Sequence, residues 1–356
     1  MTIDWLACEL HTHTIHSDAT HTLSEMAEAA RELEFDWIAL TDHNTVSGLI
    51  GKETVVIEQG ISILPGMEWT TFYGHMLTLG ANVQQTADWR LIGADDIGKG
   101  LTDIHESGGI AGIAHPFRIG SPICTGCFWE FAIGKWQLLD YIEVWNGTSP
   151  NMKSYNRRAF EYWTELLNLG IRITALSGRD WHHSQVSGET TISVTYLGLG
   201  LDDRASEHDS GGTAEQRLLK AIRHGAASVT LGPLLTLSAT EQLSRTETGQ
   251  TYRLGDTAVI HSSNGNTLSI TIEADFGVRK RQWTIVQQKL SLCLVGSKGI
   301  VAEWKIVAGS TIVEACLDLT DELWLRAELY GSMNGQEGLL AFTNCIYIEQ
   351  AKTTVS

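Results

Sequence analysis

The sequence predicts an α/β barrel followed by a β-sandwich-like region. Three observations carry that expectation. Residues 1–200 alternate short apolar runs with amphipathic helical stretches. Helical periodicity stops at about Ala226, and short strand-like runs take over. The apolar runs of the first part end repeatedly in histidine or a carboxylate. Repeated strand–helix units favour a parallel sheet, and seven strands suffice for a closed or nearly closed barrel. The expected division is 1–225 for the barrel and 226–356 for the β-rich region.

Taken in order, the barrel strands are expected at Leu6–His11, Trp37–Leu40, Ile61–Met67, Met76–Leu79, Ile110–Ala114, Tyr141–Trp145 and Ile171–Ala175. Leu23–Leu33 reads as a helix, with Leu23, Met26, Ala30 and Leu33 on one stripe and Thr22 or Ser24 as its N-cap. Tyr155–Leu169 reads as another, closed by Gly170 in the C-terminal capping position. Asp202–Gly212 is polar and reads as a linker, and Thr213–His224 as one more helix ended by Gly225. Beyond it, strands are expected at Leu268–Ile272, Gln282–Val286, Ile300–Trp304, Glu322–Leu329 and Leu339–Tyr347.

The chain of 356 residues has 25 Lys plus Arg against 42 Asp plus Glu, a net charge of −17. Such a surface repels phosphate backbones, so nucleic acid is not an expected partner. An anionic ligand would have to meet positive charge inside a cleft, or metal ions. No apolar run approaches the ~18 residues of a membrane span. The six cysteines show no disulfide spacing, which fits a cytoplasmic setting. Cys124-Thr-Gly-Cys127 is a lone CxxC and reads as a loop over the barrel mouth.

Ten of the thirteen histidines lie within residues 1–183, most of them where an apolar run ends. The first run ends in His11-Thr-His13, whose i, i+2 spacing lets both imidazoles reach one ion. Asp18 follows. The later runs lead to Asp42-His43, Glu68, His75, His115 and Asp180-Trp-His182-His183. Strand C-termini of a parallel barrel open on one face, so these segments deliver imidazoles and carboxylates to one cavity. Mixed His/carboxylate donors without thiolate suit Zn, Mn or Fe. Arg118 and Arg179 adjoin two of these motifs and could clamp an anionic oxygen. His183, with His16 and His21 as weaker candidates, could donate a proton to a leaving group.

His11-x-His13 with Asp18, Thr41-Asp42-His43, Gly66-Met67-Glu68, Ala114-His115-Pro116 and Asp180-x-His182 resemble the successive motifs of the PHP (polymerase and histidinol phosphatase) metallohydrolases. Leu218–Leu237, Gly255-Asp256 and the ending AFTNCIYIE resemble that family's CehA/McbA-type branch, with Cys345 standing where proline is expected. The resemblance implies a distorted (β/α)7 TIM-like barrel with a C-terminal β-domain and two or three divalent transition-metal ions. It assigns His11, His13, Glu68 and Asp180 to one ion, Glu68, His75 and His115 to a second, and Asp18, His43 and His182 to a third. The implied activity is hydrolysis of a small-molecule phosphoester by a metal-bridged hydroxide. The alternatives are carboxylester or carbamate hydrolysis at the same site, or a non-catalytic binding module.

Overall fold

The computed structural model describes residues 3–80, 82, 86, 88–120, 126–184, 191–200, 212–242, 248–260 and 267–350. In chain order the first part runs β1 (Asp4–Thr12), α1 (Leu23–Glu32), β2 (Trp37–Leu40), α2 (Lys52–Gln59), β3 (Ser62–Thr71), β4 (Gly74–Leu79), α3 (Ile97–Glu106), β5 (Ile110–Ile113), β6 (Tyr141–Asn146), α4 (Ser154–Asn168), β7 (Thr174–Gly178), β8 (Val194–Leu199) and α5 (Ala214–His224). Thr22 caps α1 in a box with Glu25, and Thr213 caps α5 the same way with Gln216. The expected linker falls on residues 202–211, outside the described residues, apart from Gly212.

The barrel strands lie side by side in the order β8-β1-β2-β3-β4-β5-β6-β7. The sheet departs from the all-parallel expectation in two places. β4 runs antiparallel to both β3 and β5, because only Phe72 and Tyr73 join it to β3 and so short a link can make only a hairpin. β8 runs antiparallel to β1. Beyond β7 the gap narrows through Trp181, whose N–H donates to the His11 carbonyl while its own carbonyl accepts from His13 N–H. Leu10, Leu64, Leu77, Tyr141 and Leu176 from the strands share an apolar cluster with Leu218 and Ile222 of α5.

The second part runs β9 (Ala227–Thr230), β10 (Leu234–Gln242), β11 (Thr248–Arg253), β12 (Thr257–Ile260), β13 (Thr267–Asp275), β14 (Lys289–Gly296), β15 (Gly299–Val307), β16 (Thr311–Asp318), β17 (Trp324–Met333), β18 (Gln336–Thr343) and β19 (Ile346–Gln350). Strands β11-β10-β13-β16 form an antiparallel sheet. It shares a buried core with β14, β17 and β18, including Leu235, Ile270, Ile272, Leu292, Leu329 and Leu340. The other sheet continues the barrel: β9 pairs with β8 on one side and β18 on the other. Two expectations change here. Residues 282–286 form no strand; Trp283 instead turns in to donate its indole N–H to the Val278 carbonyl. Leu339–Tyr347 is two strands, broken at Asn344-Cys345, where Asn344 leaves the ladder to bond β7.

Candidate metal centre

The centre is assembled from the ends of β1, β3, β5 and β7, the start of β4 and the loops that follow β1 and β2. His11 and His13 leave the end of β1, where the register with β2 shifts between Glu9 and Thr12. Glu68 stands fully buried near the end of β3. His75 lies 2.9 Å from Glu68 Oε1 through Nδ1, and His115 lies 3.1 Å from the same oxygen through Nε2. Glu68 Oε2 is 3.2 Å from His11 Nε2 and 3.0 Å from His43 Nδ1. Asp180 Oδ1 lies 3.1 Å from His13 Nε2. On the outer side, Asp18 lies 3.0 Å from His182 Nε2 and 3.5 Å from His43 Nε2.

The nine sequence candidates therefore fall in overlapping groups. His11, His13, Glu68 and Asp180 have donor atoms within 4.8 Å of one another, as do His43, Glu68 and His75, and as do His13, Asp18, His43 and His182. A fourth group, His11, His115 and Glu143, brings in a residue that the sequence reading did not single out. Glu143 lies inside the apolar run of β6, and a lone charge in such a run was the available signal. Its Oε1 is 3.0 Å from His11 Nδ1, and its Oε2 accepts from His115 N–H and the Asn146 amide. Glu9 is a second buried carboxylate missed from sequence, accepting from the N–H groups of His11 and Arg179. Burial raises Glu9 to about 7.

Without an ion the arrangement leaves buried ligand atoms unsatisfied. His11 Nε2, both ring nitrogens of His13, Glu68 Oε2 and His115 Nδ1 are buried and have no hydrogen-bond partner among the described residues. The donor set, imidazole and carboxylate without thiolate, fits divalent transition metals. Burial pushes the His13 imidazole down to about 4, which leaves it in the neutral form that binds a cation. Burial opposes ionisation of Glu68, yet His11, His75 and His43 hold it well below the usual carboxylate range. Burial likewise opposes ionisation of Asp180, which His11, His13 and Arg118 hold low. His115 and Asp180 also sit at φ 27° and 54°, a backbone region that non-glycine residues rarely enter.

A cavity of about 680 Å³ opens over these groups. Arg118 lines it, donating through Nη1 to Asp180 and to the Asn146 side-chain oxygen Oδ1. Arg179 lines it with its guanidinium 4.3 Å above the Trp181 ring. His183 lines it as well, its Nδ1 2.9 Å from Thr20 Oγ1. His16 and His21 are otherwise engaged: His16 bonds Ser47, and His21 Nε2 donates to the His13 carbonyl. Asp42, part of a ligand motif, braces the loop before Asp18 by accepting from Thr14 N–H and the Ser17 hydroxyl. Cys127 reaches the cavity wall, whereas Cys124 lies outside the described residues.

The PHP domain family profile matches residues 9–92, the stretch that carries His11, His13, Asp18, His43, Glu68 and His75. An uncharacterized protein of Methanocaldococcus jannaschii is 28% identical over 136 residues, 33% of this chain and 71% of its own length. Among solved structures, a two-domain protein from Bacteroides vulgatus, described as containing a predicted PHP-like metal-dependent phosphoesterase, aligns with a TM-score of 0.50 and 14% identity. The alignment covers 97% of this chain and 96% of that one. At that identity the likeness concerns the fold: a mixed α/β PHP-like domain joined to a C-terminal β region.

Proposed function

We propose that this chain is a metal-dependent phosphoesterase acting on a small molecule, with His11, His13, Asp18, His43, Glu68, His75, His115, Asp180 and His182 as the metal ligands. The observation that carries the reading is Glu68: a fully buried carboxylate with five imidazoles around its two oxygens, at the junction of two donor groups. Bound divalent cations would supply there an acidified water and positive charge for the phosphoryl oxygens. Glu143 orients His11 through Nδ1 and leaves Nε2 for the centre. Arg118, fixed by Asp180 and Asn146, presents its guanidinium edge to the cavity, where it meets the charge that develops on a phosphoryl oxygen. Arg179 adds a second guanidinium in the same wall. His183 Nε2, the ring nitrogen that Thr20 leaves unengaged, hands a proton to the departing alkoxide.

Elemental analysis after reconstitution with Mn, Fe or Zn tests the metal content, with two or three equivalents per chain expected. Less than one equivalent would count against the reading. A panel pairing phosphoesters with carboxylesters of the same leaving group tests the chemistry. Robust ester or carbamate hydrolysis without phosphoesterase activity would move the function to the carbonyl chemistry that the CehA/McbA resemblance allows.

A further inference from the structure

We propose that the cavity selects small phosphoesters whose remainder carries a second anionic group, a phosphate or a carboxylate, held at the N-terminus of α4. The inference rests on the phosphoesterase reading for the scissile group and adds what the rest of the molecule must be. In a chain of net charge −17, the only carboxylates in the described cavity wall are Asp18 and Asp180, both committed to the metal centre. Arg118, Lys153 and Arg179 line the same wall. One phosphoryl group at the centre, met by cations and Arg118, leaves Lys153 with no carboxylate partner in the described wall, while Arg179 has buried Glu9 nearby. The volume of about 680 Å³ also leaves room beyond one phosphate.

The place for the second anion follows from α4. Lys153 and Tyr155 bring the start of that helix into the cavity wall. Its N-cap, Lys153, makes no side-chain capping bond, and its first turn holds no acidic residue. Asn156, which could have served, directs its amide to the Asn146 and Pro150 carbonyls instead. The first-turn N–H groups and the positive end of the helix dipole are thus left for a ligand. Arg179 points independently to an anion. It is 8% exposed, its Nη1 is buried without a hydrogen-bond acceptor among the described residues, and Trp181 covers one face of its guanidinium. A buried guanidinium N–H without an acceptor is costly until a ligand oxygen supplies one.

The test compares propane-1,3-diol bisphosphate with 3-hydroxypropyl phosphate on the metal-reconstituted full chain. Both lose a similar primary alkoxide, so kcat/KM reports recognition of the second group. The bisphosphate should be favoured about tenfold or more, through KM. In Lys153→Gln the ratio should fall toward the statistical value of about two, and in Lys153→Glu below it. A third substrate, 4-phosphooxybutanoate, separates carboxylate from phosphate as the second anion. Calorimetry with propane-1,3-bisphosphonate and propylphosphonate, which cannot turn over, reads the same preference without catalysis. Lys153 is exposed, so its variants should keep the parent Tm. Hydrolysis of both phosphates at a ratio of about two, insensitive to Lys153, would overturn the second-anion site and leave the phosphoesterase standing. A Lys153-dependent preference for the bisphosphonate without hydrolysis of either phosphate would keep the site and remove the phosphoesterase.

Discussion

Glu143 carries the sharpest prediction at the scale of single residues. It is 1% exposed, and its two oxygens fix His11 Nδ1, the His115 N–H and the Asn146 amide. Glu143→Gln keeps the shape but removes the charge that holds the His11 tautomer. Metal affinity should fall about 10–100-fold, the usual effect of losing such a supporting partner. Glu68→Gln should be worse, because it weakens the two donor groups that share Glu68 at once. His16→Ala should leave metal content and rate at the parent level, since that ring bonds Ser47 and joins none of the donor groups among the described residues. Competition titration against a chromophoric chelator ranks the three. Glu143→Gln retaining parent affinity would mean that Glu143 is merely a buried hydrogen-bond acceptor. Most ligand candidates were legible because they end or follow an apolar run, while His75 opens β4 and Asp18 lies in the loop after β1. Glu143 and Glu9 were not, because they sit within such runs, where a carboxylate breaks the pattern without announcing a partner.

At the scale of elements, the close approach of β7 to β1 decides the site. Gly178 ends β7, and a Cβ there would lie 2.4 Å from both His11 Cβ and Glu143 Oε1. The glycine is therefore required by packing of the ligand strand rather than by a turn. Gly178→Ala should push His11 off Glu143 and lower both metal occupancy and Tm. Gly98→Ala in α3 is the contrast, because nothing lies within 4 Å of the added methyl. It should stabilise the helix by about 0.5–1 kcal/mol and leave metal content alone. Thermal melts with metal analysis on both variants separate the effects; equal behaviour would refute the packing argument. Strand positions such as Trp37–Leu40 were readable because they are continuous apolar runs. The direction of β4 was not read from its residues, since strand composition carries no polarity and only the two-residue link to β3 fixes it. β16 was missed because half of its residues face out and its apolar content is diluted.

At the scale of the whole molecule, the C-terminal region braces the strand that delivers Asp180. β7 has β6 on one side, and on the other it borrows a partner from the far end of the chain. Asn344 Oδ1 accepts from Ala175 N–H at 2.7 Å, while its Nδ2 donates to the carbonyls of Ala175 and Ala227. One side chain thus satisfies two backbone groups of β7 and ties them to the start of β9. Phe342, two residues earlier, packs against Trp145, Phe160 and Trp163 of β6 and α4. Asn344→Ala would leave the buried N–H and C=O of Ala175 unsatisfied, at about 1–3 kcal/mol for each group. Tm should therefore drop by several degrees. Metal affinity should drop with it, because the loosened strand carries Asp180 at its end. Asn344→Asp separates the two roles: it keeps an acceptor for Ala175 N–H, loses the donor, and places a charge in a fully packed site, so it should be at least as destabilising. Residues 1–225 expressed alone should show the limit of the effect. They lack β9 along the edge of β8 and expose Trp145, Phe160 and Trp163, so the fragment should associate on size-exclusion chromatography and bind metal poorly. A monomeric fragment with parent metal affinity would show that the barrel needs no brace, and the C-terminal strands would then need a role other than holding β7.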